Sequence, residues 1–364
     1  MTRPTTGKQG YRVGIAGASS LLGQELLRVL KDRDFPVSHL TAFESDQAEP
    51  DLPVLDLSDH LGFEDAAEEI APGSLDVLFL ATHGRTKSGE PPPISKALEA
   101  AGLAPPSKGP SSARCLVIDS SDALGDVLGG VLSVPSVEEP ARATDSPHLS
   151  RVFVSPHPAV VALSRLLLSL AERFAVKTCV AHVYFPVSEM GPRAIEELQK
   201  QTVNLLSFQK IPEKVFGTQL AFNLLARLPG RHAAETAALE ARIRRELHQY
   251  LRNRVPAPAL AFCQAAVFYS LAFSVFVEFA RSVMAEEVSG ALAEKRFAVR
   301  RRNEAAPSQV EAAGSGEILV DAITLDPDYP RACWIWAAVD NIRLAAENAV
   351  DIAETLLQPH RARQ

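Results

Sequence analysis

"YRVGIAGASSLLGQELLRVLKDRDF", residues 11–35, decides the fold of the first half of this chain. A β-like run from Tyr11 to Ile15 turns through Gly17 and Gly23 and gives way to a segment with Leu26, Leu27 and Leu30 at helical spacing. That order predicts strand, tight turn and amphipathic helix. Outward from it, "HLTAFES" (39–45) reads as a second strand, and "LDVLFLATHG" (75–84) and "RCLVIDSS" (114–121) are continuous apolar runs ending in small or polar residues. Strands apolar on both faces and alternating with helices indicate a parallel sheet covered on both sides. The fold class expected is therefore α/β, a Rossmann-like doubly wound parallel sheet over about residues 1–155.

Two Pro/Ser-rich stretches, 103–114 and 136–150, read as surface loops, the second marking a domain boundary. Beyond it come a long apolar helix (159–174), a strand at "VKTCVAHVYFP" (176–186), and helices around 194–206 and 240–251. From Pro256 to Val277 the chain carries no charge over about 22 residues, long enough for a membrane span. Its Val, Phe and Tyr content, two opening prolines and internal Gln264, Tyr269, Ser270 and Ser274 fit two consecutive buried strands better. A polar loop (301–317), a strand "ACWIWAAV" and an amphipathic helix, "NIRLAAENAVDIAETLLQ", close the chain. The second domain is thus expected over 156–339 as an α+β dimerisation or catalytic-type domain with a mixed, largely antiparallel sheet. The last helix, 340–364, is expected to complete the first domain.

Composition bounds the function. The 364 residues suffice for two cores, and 46% hydrophobic with 22% charged residues is ordinary for a globular chain. A net charge of -7 gives no broad positive field for a phosphate backbone, so nucleic acid is not an expected partner. Cys115, Cys179, Cys263 and Cys333 form no CxxC pair and sit in apolar stretches, which reads as buried reduced thiols. With no apolar leader before the first strand, the expected location is cytoplasmic, without a membrane partner.

The Gly-rich turn is the candidate cofactor loop, because backbone N–H groups at a helix start meet a pyrophosphate. Its candidate contacts are Gly17, Ala18, Ser19, Ser20, Leu21, Leu22 and Gly23. Ser20 stands where a middle glycine would allow closest approach, which weakens the motif as a phosphate cradle. Glu44 and Asp46 follow the second strand, where an acid can bond a ribose diol and repel a 2′-phosphate. If a nucleotide binds, NAD is favoured over NADP; a purely structural turn and an acidic surface loop are the other readings.

At this point the motifs align with a family. "VGIAGASSLLGQELLRVLKDRDFP", "LVIDSSDA", "VPSVE", "FGTQLAFNLL" and "DNIRLAAENAVDIAE" resemble, in order, the aspartate-semialdehyde dehydrogenases, and most closely their Usg-like paralogues that have lost catalytic residues. The resemblance runs from about Tyr11 to Leu357. It implies a nicotinamide cofactor, NAD or NADP, a homodimer through the second-domain sheet or a heteromer with an active paralogue, and a place in aspartate-family amino-acid biosynthesis. The family's chemistry uses a cysteine thiolate, a histidine base, and arginines that hold carboxylate and phosphate.

Position by position, this chain departs from that set. The nucleophile motif Asn-Pro-Asn-Cys is similar to Ser155-Pro156-His157-Pro158, so the cysteine falls on Pro158. The substrate arginine falls on Gln264 and the base on Leu271. By the same resemblance the phosphate arginine is Gly125, an asparagine position is Glu138, and the glutamine that orients the acyl group is Phe185. Glu240 and Arg242 resemble the family's substrate-facing Glu and Lys, although a helical Glu and Arg two apart also read as a solvated face.

No catalytic residue is therefore expected. The leading expectation is a catalytically silent dimeric binding or regulatory protein. The alternatives are an NAD(P)-dependent oxidoreductase on an aldehyde or acyl phosphate using non-standard residues, Ser155, His157 or Cys263 among them, and a membrane-associated or assembly protein using Pro256 to Val277 outside the folded domain.

Overall fold

The computed structural model describes residues 10–43, 63–65, 73–81, 95–103, 115–121, 129–137, 151–295 and 297–357. Contacts group the chain into two units, residues 1–156 with 345–364, and residues 157–344. In the first, β1 (Tyr11–Ala16) leads through the Gly-rich turn into α1 (Leu21–Asp32). The remaining strands are β2 (Val37–Phe43), β3 (Phe63–Asp65), β4 (Val77–Leu80), β5 (Leu116–Asp119), β6 (Val131–Leu132) and β7 (Val152–Val154), with α2 at Ser95–Ala100. They form one sheet in the order β3-β2-β1-β4-β5-β7-β6, and every ladder among the described residues is parallel.

The apolar runs divide by alternation. Val77 and Phe79 join Leu22, Leu26 and Val29 of α1 on one face, together with Ala346, Ala349 and Val350 of the closing helix. Leu78 and Leu80 face the other way, with Ala97, Ala100 and Ala101 at α2. Both faces are covered, as a parallel sheet requires, each buried Leu or Phe contributing about 1.5–3 kcal/mol.

The second unit opens with α3 (Pro158–Ala171), which packs against β8 (Val176–Phe185). After α4 (Pro192–Leu206) and β9 (Leu224–Leu225) comes α5, Arg231–Leu251, nine residues longer at its start than the helix read from 240–251. Its first half is alanine-rich and lacks an apolar stripe, so propensity rather than periodicity marks it. The uncharged run 256–277 forms β10 (Ala259–Ala265) and most of β11 (Leu271–Phe279), two strands as expected. Among the described residues no helix is long and apolar enough to cross a membrane.

Helix α6 (Ala285–Ala293) and strands β12 (Ala298–Val299), β13 (Leu319–Val320), β14 (Thr324–Leu325) and β15 (Ala332–Val339) follow. Within the stretch read as a polar loop, Ser308 caps a short helix, α7 (Gln309–Ala312). The last helix is α8 (Asn341–Leu357). The sheet order is β12-β13-β15-β11-β8-β10-β9, with β14 beside β15. Five ladders are antiparallel and two parallel, so the sheet is mixed and largely antiparallel.

Alternate residues of β8, β11 and β15 are buried, while His182, Tyr184, Ser274, Phe276, Trp334 and Trp336 lie on a half-covered face. Register places Ser274 between His182 and Trp336, and Phe276 beside Trp334 with ring centroids 5.2 Å apart.

Candidate active-site positions

In the first unit the chain leaves β1 at Gly17, whose φ of +82° favours glycine. Its amide donates to Phe43 O at 2.7 Å, tying the turn to β2. A Cβ on Gly23 would stand 2.2 Å from Gly17 O, so only glycine lets α1 start this close to the turn. Ser20 is more than a weakened glycine position. It is the N-cap of α1: its hydroxyl accepts from the Gly23 amide and donates to Ala81 O, both at 2.9 Å.

The Gln24 amide is held by Ser20 O at 2.9 Å. The amides of Leu21 and Leu22, in the first turn, have no hydrogen-bond acceptor among the described residues, which suits an anion. Glu44, Asp46, Gly125 and Glu138 lie outside the described residues.

Ser155 closes the first unit's sheet. Its amide donates to Asp119 O, its hydroxyl accepts from Asn348 Nδ2 at 2.9 Å, and the residue is 1% exposed. Asn348 also donates to Ser133 O, so a side-chain amide from "AENAVD" joins two strand ends.

In the second unit Pro158 is the first residue of α3, where its missing N–H costs nothing. His157 is the N-cap. Its Nδ1 accepts from the Ala159 amide at 3.1 Å, so the ring proton sits on Nε2, 3.0 Å from Glu189 Oε2. The His157 amide donates to Glu246 Oε2 at 2.8 Å, and Glu246 Oε1 takes the Arg242 Nε at 2.7 Å.

The reading of Arg242 as a solvated face is corrected by that pair, since Glu246 is buried and lies one helical turn along on the same side. Glu189 in turn accepts from Asn341 Nδ2 at 2.9 Å, and Asn341 Oδ1 receives the Ser270 amide at 3.1 Å.

Ser270, just before Leu271, has a φ of +74°, a left-handed conformation that favours glycine. Next to it Leu271 is fully buried. Gln264 points its amide into the backbone, donating to Phe185 O at 3.0 Å. Phe185 is edge-on to His157 and stacked on Phe262 with ring centroids 5.5 Å apart. Glu240 is half-buried, and burial raises its pKa from the ordinary value against the opposing pull of Arg244.

Cys115, Cys179 and Cys333 are buried, and burial pushes each thiol up to about 12. Cys263 is only partly buried, against the expectation, and burial together with the nearby Glu240 carboxylate raises its pKa. Neither environment favours a thiolate. Among the described residues no group of His, Cys, Asp and Glu is arranged to hold a metal.

Residues 12–99 match the family described as "Semialdehyde dehydrogenase, NAD binding domain", and residues 167–344 match "Semialdehyde dehydrogenase, dimerisation domain". The chain belongs to the semialdehyde dehydrogenase family. Among related members, the "Aspartate-semialdehyde dehydrogenase" of Rickettsia conorii is 27% identical, over 95% of this chain and 98% of that protein. The "USG-1 protein homolog" of Pseudomonas aeruginosa is 26% identical, over 96% and 98%.

A solved structure of a probable aspartate-semialdehyde dehydrogenase from Pseudomonas aeruginosa superposes with a TM-score of 0.80 at 25% identity, covering 97% of this chain and all of that one. The positions that the sequence resemblance singled out, Pro158, Phe185, Gln264 and Leu271, all lie in the second unit.

Proposed function

We propose that this chain is a catalytically silent semialdehyde dehydrogenase homologue that acts by binding, as a homodimer or paired with an active paralogue. The observation that carries the reading is the start of α3. Proline holds the position that the family resemblance gives to the nucleophile, and both ring nitrogens of the neighbouring His157 are committed to hydrogen bonds. A nucleophile needs a base within hydrogen-bond reach, and Leu271 has no ionisable group. Ser155 and Cys263 are poor substitutes, the first enclosed and held by Asn348, the second with its thiol pKa raised.

What the chain keeps is the dinucleotide-type turn and the dimerisation fold. The Gly17–Gly23 turn, with the amides of Leu21 and Leu22, is the part that would hold a nicotinamide dinucleotide, which supplies hydride chemistry when bound. Glu44, by its place in the sequence after the second strand, would favour NAD over NADP. The half-covered aromatic face of β8, β11 and β15 supports pairing through the second sheet, since aromatic residues are enriched at interfaces.

The test is formation of NADPH from aspartate semialdehyde, phosphate and NADP, repeated with NAD, at high protein concentration. No turnover above background is expected. Turnover would favour the other reading, an oxidoreductase of aspartate-family metabolism with non-standard residues.

A further inference from the structure

A groove of about 520 Å³ runs in the second unit between one face of α6 and the chain that follows β12. Its helix wall carries the small residues Ser289, Gly290 and Ala293, and a Cβ added to Gly290 would meet nothing within 4 Å. The opposite wall is three consecutive arginines, Arg300, Arg301 and Arg302. In an extended strand neighbouring side chains alternate between faces. Here a turn gathers them on one groove: the Glu304 amide donates to Arg301 O at 3.0 Å, and the Arg301 amide donates to the Glu304 carboxylate at 2.7 Å.

Several arginines elsewhere in the unit are neutralised. Arg173, Arg281 and Arg331 each hold a carboxylate, Glu294, Glu287 and Glu278. Arg300 holds Glu311, yet its Nε is buried with no hydrogen-bond acceptor among the described residues. Arg301 and Arg302 are exposed and have no ion-pair partner among the described residues. Glu286 is the one carboxylate in the lining. Three guanidinium groups thus share a concavity in a chain whose net charge is -7.

We propose that this groove binds an oligophosphate anion, either free or as the phosphate tail of a nucleotide. Guanidinium forks pair with phosphate oxygens two at a time, and adjacent forks match linked phosphates better than a single monoanion. The volume falls within the range of about 300–1,000 Å³ usual for small-molecule sites. The small-residue wall leaves room for the ligand beside the arginines. This site is separate from the Gly17–Gly23 turn, which belongs to the first unit, and it does not depend on the catalytic state of the chain.

Calorimetric titration of the full chain with sodium tripolyphosphate, and separately with ATP, in low-salt chloride buffer tests it. The expected result is saturable tripolyphosphate binding that Arg301→Gln with Arg302→Gln weakens at least about tenfold, with an unchanged melting temperature. The double lysine variant should weaken it less, because charge remains while the fork is lost. Tighter binding of ATP assigns a nucleotide, and equal affinity assigns a free oligophosphate. The proposal is overturned by no binding at millimolar tripolyphosphate, by full binding to the glutamine variant, or by capture of a polyglutamate peptide where tripolyphosphate fails.

Discussion

His157 Nε2 stands 3.0 Å from Glu189 Oε2, while Nδ1 of the same ring takes the amide of Ala159 at 3.1 Å. One imidazole therefore caps α3 and joins it to a buried carboxylate, which itself holds Asn341. Replacing His157 with alanine removes the cap and one partner of a buried carboxylate together. His157→Ala should cost about 2 kcal/mol in urea unfolding, and His157→Asn about 1, since a shorter side chain keeps the cap alone. Equal losses for both variants would show that the Glu189 bond contributes nothing.

Ser20 separates two effects that the sequence merges. Its hydroxyl caps α1 and reaches Ala81 O, so Ser20→Ala should cost about 1 kcal/mol, and Ser20→Gly a few tenths for the cap with a further small loss for the Ala81 bond. The glycine variant should also tighten NAD binding, measured by fluorescence quenching, because a side chain leaves the phosphate approach. Unchanged affinity alongside the stability loss would mean that the turn no longer meets phosphate.

Much of the first sheet was legible because its signals are local. Tyr11 to Leu30 carries strand, turn and helix within one short stretch, and β4 and β5 lie in continuous apolar runs, whereas the three residues of β3, Phe-Glu-Asp, carry no such signal. The two strands of 259–279 were legible for the same reason, through their aromatic and β-branched content. The replaced positions, Pro158, Gln264 and Leu271, came from motif order.

The polar network did not. His157 meets Glu189 from 32 positions away and Glu246 from 89, and Asn341 reaches Glu189 across 152. Only the fold brings these together. The Arg242–Glu246 spacing was the one available hint, being a helical i, i+4 pair.

The thiols give the chain an alkaline limit. For a group titrating near 9 when unfolded and near about 12 when folded, the native state binds the proton more tightly. Stability is then undiminished below pH 9 and falls as pH rises from 9 toward about 12. Replacing Cys115, Cys179 and Cys333 with alanine should flatten that decline in unfolding measured from pH 8 to 11, at some cost in packing. A disulfide-exchange reagent at pH 8 should label Cys263 in the native protein, and all four cysteines only after denaturation. Fast native labelling of Cys179 or Cys333 would contradict the burial.

Trp334 pairs with Phe276 on the half-covered face of the second sheet and is itself exposed. Desolvating a carboxylate at an apolar interface is unfavourable. Trp334→Glu should therefore shift the chain from dimer to monomer in light scattering, by at least about tenfold in dissociation constant, while the far-ultraviolet circular dichroism stays unchanged. A dimer of undiminished affinity would place the contact on another surface.

Pro158→Cys returns a thiol to the first turn of α3, where the helix dipole favours a thiolate. The new thiol should alkylate with iodoacetamide faster than Cys263. Catalysis is a different matter, because a positioned base contributes about 10²–10⁴-fold and the base position remains Leu271, buried in the sheet. The substrate-arginine position also remains Gln264, whose amide is tied to Phe185 O. The variant should thus be reactive toward alkylating agents yet show no dehydrogenase turnover, and adding Leu271→His and Gln264→Arg should be required before any appears. Turnover by Pro158→Cys alone would mean that the surrounding groups still serve the reaction, and that the proposed silence rests on one side chain rather than on the whole site.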